Sequence, residues 1–253
     1  MTPTPASGPL VHTESFVVRV FETDANAALS PRSLCDFLQE AADRHVVLLG
    51  VTVEKLQERS LTWLLSRLRM RIQRLPTKGE TLTIQTWHAG IDRLFSLRDF
   101  QVADEVGAPV ASAVTAWLAF DLAARKPVRV QGVFDGGETS PRPRAMADRL
   151  DRLPGSRPPL EERSISVRWS DLDINRHVNN SRYAEWLVEG AEAELRDHSL
   201  LRGLDLDFLA ETRAGGGVVV RSSRGSAGTL EHTIVRGEDG VEVARGRTLW
   251  WNP

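Results

Sequence analysis

Phe16, Val18 and Val20 alternate with more polar neighbours, and so do Ile165, Val167 and Trp169. Side chains in a strand point to opposite faces in turn, so each run predicts a short strand with one face buried. A polar turn follows each run, and then a helix. In the first, Leu34, Phe37, Leu38, Ala41 and His45 recur at helical spacing behind Ser30-Pro31, an N-cap followed by proline where its missing N–H costs nothing. In the second, Asn179 takes the place of Ser30, and Tyr183, Trp186, Leu187 and Ala191 form the stripe. The runs LTWLLSRLRMRIQRL, TLTIQTWHAG, FSLRDFQVAD and VASAVTAWLAFDL read as strands separated by Gly, Asp or Pro. The pattern predicts an α+β fold in which two long central helices are each wrapped by an antiparallel β-sheet.

The two halves are copies of one another. Residues 16–42 align without a gap on residues 165–191: Val18 with Val167, Arg19 with Arg168, Asp24 with Asp173, Asn26 with Asn175, Glu40 with Glu189, all 149 apart. A second block aligns at a spacing of 136: Ile72 with Phe208, Gly79 with Gly215, Leu82 with Val218, Ile84 with Val220. Two blocks in the same order indicate a duplicated domain. The shorter spacing predicts that the second copy has lost loop between helix and strands. The division that follows is a disordered tail over residues 1–12, a first domain over 13–130, a linker over 131–163 rich in Pro, Gly and Arg, and a second domain over 164–253. A short helix is expected in the linker at residues 145–153.

Composition narrows the function. A formal net charge of −2 gives no overall basic field for nucleic acid. The one cysteine, Cys35, excludes an internal disulfide and fits a reducing compartment. No apolar run approaches the ~18 residues of a membrane-spanning helix, and the N-terminus lacks the pattern of a secretory signal, so a cytoplasmic location is expected. Cys35, within the apolar helix, reads as a small buried hydrophobe. The arginine-rich RLRMRIQR reads as a strand with one solvated face, with an acidic partner as the alternative.

The densest polar cluster is SDLDINRHVNN, residues 170–180, between strand and helix. Asp173, Asn175 and His177 alternate and, in an extended stretch, share one side. Backbone N–H groups at the following helix start can stabilise an oxyanion. Turn formation alone explains Asp and Asn here, and the first copy keeps both, as Asp24 and Asn26. It has Ala28 in place of His177, however, and Leu75 in place of Glu211. Two ionisable groups present in one copy only point to a chemical second copy and a first copy that serves as scaffold or substrate wall. The spacing Asp171-x-Asp173-x-Asn175 starts like a calcium loop, but Arg176 and Arg182 stand where that loop needs Gly and Glu.

The stretch WSDLDINRHVNNSRYAEWLVE, residues 169–189, resembles the signature of the acyl-ACP thioesterases of plants and bacteria. So do QEAADRH with the following Gly50, TWLLSRLRMRI, GETLTIQTW, RLFSLRDF and ASAVTAWLAFD. The resemblance runs from about Phe16 to Trp250. It implies a tandem hotdog fold, hydrolysis of fatty acyl thioesters of acyl carrier protein without metal or cofactor, and catalytic roles for Asp173, Asn175, His177 and Glu211. Many plant members carry Cys directly after that Glu; Thr212 stands here, which excludes a cysteine acyl-enzyme at that position. The alternatives are a coenzyme A thioesterase of the same fold and a non-catalytic acyl-binding protein. Hydratases of this shape space Asn and His differently. Either a monomer or a homodimer satisfies the fold.

Overall fold

The copies begin in register. In the computed structural model, which describes residues 10–130, 133, 139–155, 157–226 and 228–252, the first contains β1 (His12–Val17), α1 (Pro31–Leu49), α2 (Val53–Gln57), β2 (Leu61–Ile72), β3 (Thr81–Asp92), β4 (Phe95–Ala103), β5 (Pro109–Asp121) and β6 (Lys126–Val128). The second contains β7 (Glu161–Ser166), α3 (Asn180–Glu189), α4 (Ala193–His198), β8 (Leu200–Phe208), β9 (Gly217–Arg224), β10 (Thr229–Arg236) and β11 (Glu242–Trp251). β1 and β7 start 149 residues apart, as do α1 and α3, whereas β3 and β9 start 136 apart. The expected tail falls largely on residues 1–9, outside the described residues; β1 begins at His12 and β7 at Glu161.

All strand pairs are antiparallel and form one sheet in the order β1-β3-β4-β5-β2-β8-β11-β10-β9-β7, with β6 on β5. The order is mirrored about β2 and β8, which pair from Arg67 with Asp207 to Arg71 with Gly203. Each half therefore closes the other's open edge. One face of the sheet packs on α1 and α3. Leu34, Leu38 and Ala41 of α1, with Ala184 and Leu187 of α3, are at most 3% exposed. Burial of each such leucine is worth about 2 kcal/mol. Ser30 Oγ accepts from Ser33 N at 3.1 Å, and Asn179 Oδ1 accepts from Ser181 N at 3.0 Å, so both helices carry the expected caps. The result is the tandem hotdog implied by the resemblance.

Three expectations need correction. The central helices are unequal: α1 has 19 residues and α3 only 10. Most of the shortening in the second copy is helix rather than loop. α3 stops at Gly190, whose carbonyl accepts from Ser222 Oγ at 2.7 Å and which lies so close to Val220 that a Cβ would come within 2.6 Å. α1 runs on to Gly50, which ends it in the left-handed region at φ 70°.

The linker helix at residues 145–153 is also absent, and the arginine-bearing face of β2 is not solvated. The two facts have one cause. The linker crosses the sheet face opposite the helices, and outward-pointing polar side chains take up its backbone groups. Asp99 Oδ2 accepts from Ala145 N at 2.7 Å and from Arg144 Nε at 2.8 Å. Arg67 donates to Leu150 O, and Arg69 Nη2 donates to Asp151 O at 2.6 Å and to Asp207 Oδ1 at 2.8 Å. Asp207 Oδ2 accepts from Leu153 N at 2.7 Å, and Arg245 Nη1 donates to Leu153 O at 3.1 Å. Asp99, Asp207 and Arg69 are at most 3% exposed. A helix would have satisfied the linker's amides internally; here the sheet satisfies them. Among the described residues no helix is long and apolar enough to cross a membrane.

Candidate active site

Asp173, Asn175 and His177 do not lie in an extended stretch. Leu172 and Val178 form an isolated antiparallel bridge, and between them the chain makes a tight turn. Asp173 N donates to His177 O at 2.8 Å, and Arg176 N to Asp173 O at 3.0 Å. Arg176 takes a left-handed φ of 62°. Asp173 Oδ1 accepts from the backbone N–H of Asn175 at 2.8 Å and of His177 at 3.2 Å. The first copy builds the same turn: Asp24 Oδ1 accepts from Asn26 N at 2.9 Å and Ala28 N at 3.2 Å, and Ala27 has φ 60°. One oxygen of Asp173 is thus engaged in shaping the turn, as in the copy without His177. Asn175 sits exposed at the turn. Its counterpart Asn26 donates from Nδ2 to Arg196 O at 3.1 Å.

The turn presents His177 to Glu211, with His177 Nε2 3.1 Å from Glu211 Oε2. The next strand junction sets Glu211. Val178 N donates to Thr212 O at 2.9 Å, matching Leu29 N to Pro76 O in the first copy. The pairing confirms that Leu75 and Glu211 are equivalent positions. Arg236 Nη1 donates to Glu211 O at 2.8 Å, and Arg213 Nη2 lies 3.7 Å from Glu211 Oε2. Thr212 is buried, and its Oγ1 accepts from Tyr183 OH at 3.0 Å. Burial pushes the Tyr183 phenol up, with the Thr212 hydrogen bond opposing. His177 and Glu211 keep 31% and 54% of their side chains accessible, so the pair meets solvent and is open to a ligand. Among the described residues no three His, Cys, Asp or Glu side chains converge as metal ligands would.

A narrow apolar cleft includes the start of α3, three residues beyond His177. Asn180 and Ser181, the first residues of α3, line it together with Phe208 of β8. It continues under α1 along Cys35, Leu38, Gln39 and Ala42, across Leu65 and Leu68 of β2 and Thr115 and Trp117 of β5, to Phe100 of β4. Nine of these twelve residues belong to the first copy. Phe37, also on α1, does not line the cleft and is core, stacked on Phe16 at 4.6 Å between ring centroids. Cys35 is buried, and burial pushes its thiol up to about 12. It contributes apolar surface, not a thiolate.

The second copy has filled the corresponding space. Across its strands Ser222, His232 and Gly246 stand where the first copy has Thr86, Phe100 and Ala113. His232 Nδ1 and Nε2 lie 2.9 Å from Ser222 Oγ and Thr248 Oγ1, and Trp250 Nε1 donates to Thr248 at 2.8 Å. Leu187 sits against Gly246, where a Cβ would come within 2.4 Å. A polar chain and a packed leucine occupy what is cleft in the first copy.

Gln39 was not foreseen as a site residue. Its Nε2 donates to Asn179 Oδ1 at 3.3 Å, linking the cleft wall to the cap of α3. The second copy has Val188 there, so the asymmetry that singled out His177 and Glu211 also marks Gln39, with the copies reversed.

Comparison with known proteins bears on the family and the fold. The family models described as the acyl-ACP thioesterase N-terminal domain and C-terminal domain match residues 9–134 and 158–252. A palmitoyl-acyl carrier protein thioesterase of Cuphea hookeriana is 27% identical over 260 residues, covering 95% of this chain and 62% of its own length. The chain thus spans about three fifths of that plant relative. Among solved structures, an acyl-ACP thioesterase from Bacteroides thetaiotaomicron superposes with a TM-score of 0.85 at 26% identity, covering 95% of this chain and 98% of that one. A 12:0-ACP thioesterase from Umbellularia californica shares the fold, with a TM-score of 0.84 at 23% identity over 97% of this chain and 98% of that one. The chain belongs to the acyl-ACP thioesterase family.

Proposed function

We propose that the chain hydrolyses fatty acyl thioesters of acyl carrier protein, releasing a free fatty acid and the carrier thiol. The observation that carries this reading is the contact of His177 with Glu211, 3.1 Å apart, on the turn that leads three residues later into Asn180 of an apolar cleft. The acyl chain lies in the cleft of the first copy, and the thioester carbonyl sits beside the pair. Glu211, still widely accessible, takes a proton from water as the water oxygen attacks the carbonyl carbon. The oxyanion that forms faces the start of α3, where partial positive charge gathers. Among the described residues none accepts from the Asn180 N–H there. The C–S bond then breaks as the carbonyl of the free acid re-forms, and the proton taken by Glu211 crosses to His177, 3.1 Å away, which passes it on to the leaving thiolate.

Of the two carboxylates, Glu211 is the better base, because the turn already occupies an oxygen of Asp173. Asp173 is a positioning residue that aims His177. Asn175, exposed at the turn, orients the water or the thioester. Each copy supplies the other's sheet partner, so a monomer suffices for the chemistry. Family membership favours the acyl carrier thioester over coenzyme A. The test is thiol release from acyl carrier and coenzyme A thioesters of one chain length, measured side by side. Turnover of the carrier thioester should prevail. Equal or better use of coenzyme A overturns the choice of carrier, and binding of both without release makes the chain an acyl-binding protein.

A further inference from the structure

Glu211 stands on a loop, and a neighbouring hairpin grips that loop. β8 ends at Phe208 and β9 begins at Gly217, so Glu211 belongs to neither strand. A catalytic group on a loop needs its position set by other contacts. The hairpin between β10 and β11 supplies them. Arg236, the last residue of β10, donates from Nη1 to Glu211 O at 2.8 Å. Gly237 N donates to Gly217 O at 2.8 Å, where the loop ends. Glu238 covers Gly216 so closely that a Cβ there would meet its Oε1 at 2.6 Å. Asp239 in turn holds Arg236: its Oδ1 accepts from Arg236 Nε at 2.9 Å, and its Oδ2 from Arg236 Nη2 at 2.8 Å. Asp239 Oδ1 also accepts from Val241 N at 3.1 Å, and Arg236 N donates to Val241 O at 2.8 Å, which closes the hairpin.

We propose that Arg236, held by Asp239, is a positioning residue for Glu211, fixing the peptide from which the carboxylate reaches His177. The proposal rests on the reading of Glu211 as the base. A guanidinium is a rigid planar fork. With Nε and Nη2 taken by Asp239, the direction of Nη1 is set, and it meets the Glu211 carbonyl. Arg236 takes the carbonyl and leaves the carboxylate to His177, 3.1 Å away. The copies differ here as well. Arg236 pairs with Val218, the counterpart of Leu82, and Asp104 comes next after the pair of Ala103 with Thr83, so Asp104 is its counterpart in the first copy. There the cation sits on the loop: Arg74, just before Leu75, donates from Nη2 to Asp104 Oδ2 at 2.8 Å. The second copy has Ala210 in place of Arg74. Its cation has moved to the hairpin and grips the backbone of the residue that replaces Leu75. Both copies build the same fold, so the exchange serves Glu211 rather than the sheet.

The test is a double-mutant cycle on single-turnover thiol release from one saturated acyl thioester of the carrier, with binding of a fluorescent fatty acid measured alongside. Arg236→Met should lower the rate about 10- to 100-fold, as expected for a displaced catalytic group, and leave fatty acid binding within about twofold. In a chain already carrying Glu211→Gln, the same substitution should lower the residual rate by less than about twofold, because a residue that acts only through Glu211 then has no base to position. Arg236→Lys, whose ammonium can still reach the carbonyl but cannot fork onto Asp239, should recover part of the loss. Should Arg236→Met fail to fold, Asp239→Ala, at the exposed hairpin tip, releases the fork and should give the same two results. Parent rates in folded Arg236→Met and Asp239→Ala overturn the positioning role alone. So do losses that multiply with that of Glu211→Gln, since Arg236 would then act on the substrate or the fold. A parent rate in Glu211→Gln itself overturns the reading of Glu211 as the base and the positioning role with it.

Discussion

Asp24 and Asp173 make one turn twice, and replacing each with alanine separates folding from chemistry. Asp24→Ala removes the acceptor for Asn26 N at 2.9 Å and Ala28 N at 3.2 Å. Asp173→Ala removes the acceptor for Asn175 N at 2.8 Å and His177 N at 3.2 Å. The freed N–H groups are largely within reach of water, so each lost bond costs near the low end of the usual range. The total is about 1–2 kcal/mol for either variant. Urea denaturation should show similar losses. Turnover should not match. Asp24→Ala leaves His177 and Glu211 untouched and should stay within about twofold of the parent. Asp173→Ala frees the backbone of His177, and displacement of a catalytic group by an ångström can cost ~10² in rate. Asp173→Asn keeps an acceptor oxygen and should recover most of that loss. The reasoning is refuted if Asp24→Ala loses turnover as deeply as Asp173→Ala. It is also refuted if Asp173→Asn, with stability restored, stays as inactive as the alanine variant, because the carboxylate charge would then be the working part.

Asp207→Ala should lose about 3–5 kcal/mol by chemical denaturation, because Arg69 would be left buried and unpaired; Arg69→Met with Asp207→Leu should lose much less, and equal losses would mean that the ion pair does not hold the linker. Burial pushes His232 down to about 3 and His88 down to about 4, below the usual value for histidine. The unfolded chain therefore takes up protons first as pH falls. Stability is full above about pH 6.5 and is lost below it at about 1.4 kcal/mol per unit for each histidine. Urea midpoints at pH 7 and 4.5 should differ by less in His232→Gln than in the parent, and an unchanged difference would count against this origin. The Cys35 thiol, at about 12, should resist alkylation at pH 8 until the protein unfolds, and Cys35→Ala should leave hydrolysis nearly unchanged; a deep loss in a folded variant would make it a participant.

Much of the fold was legible because the chain states it twice. Two blocks at fixed spacing locate α1 against α3 and β3 against β9, and the hydrophobic period distinguishes helix from strand within each block. The pairing of His177 with Glu211 was legible as a difference between copies, Ala28 and Leu75 against two ionisable residues. The turn around Asp173 was not, because alternation of polar residues suits an extended stretch as well as a tight turn. Only the backbone acceptance by Asp173 Oδ1 decides. The solvated reading of Arg69 failed for a related reason. Period-2 arginines describe a polar face, and whether water or a polypeptide covers that face depends on a segment some 80 residues away. His45 passed as part of an apolar stripe because its partner Arg98 lies on another element, 53 residues on.

The central claim is that the second copy performs the chemistry through Glu211 and His177 while the first holds the chain. Single-turnover thiol release by Glu211→Leu, which installs the residue of the first copy, tests it most directly. With circular dichroism and fatty acid binding unchanged, the rate should fall by at least ~10². A folded variant that binds the fatty acid and releases thiol at the parent rate would contradict the account.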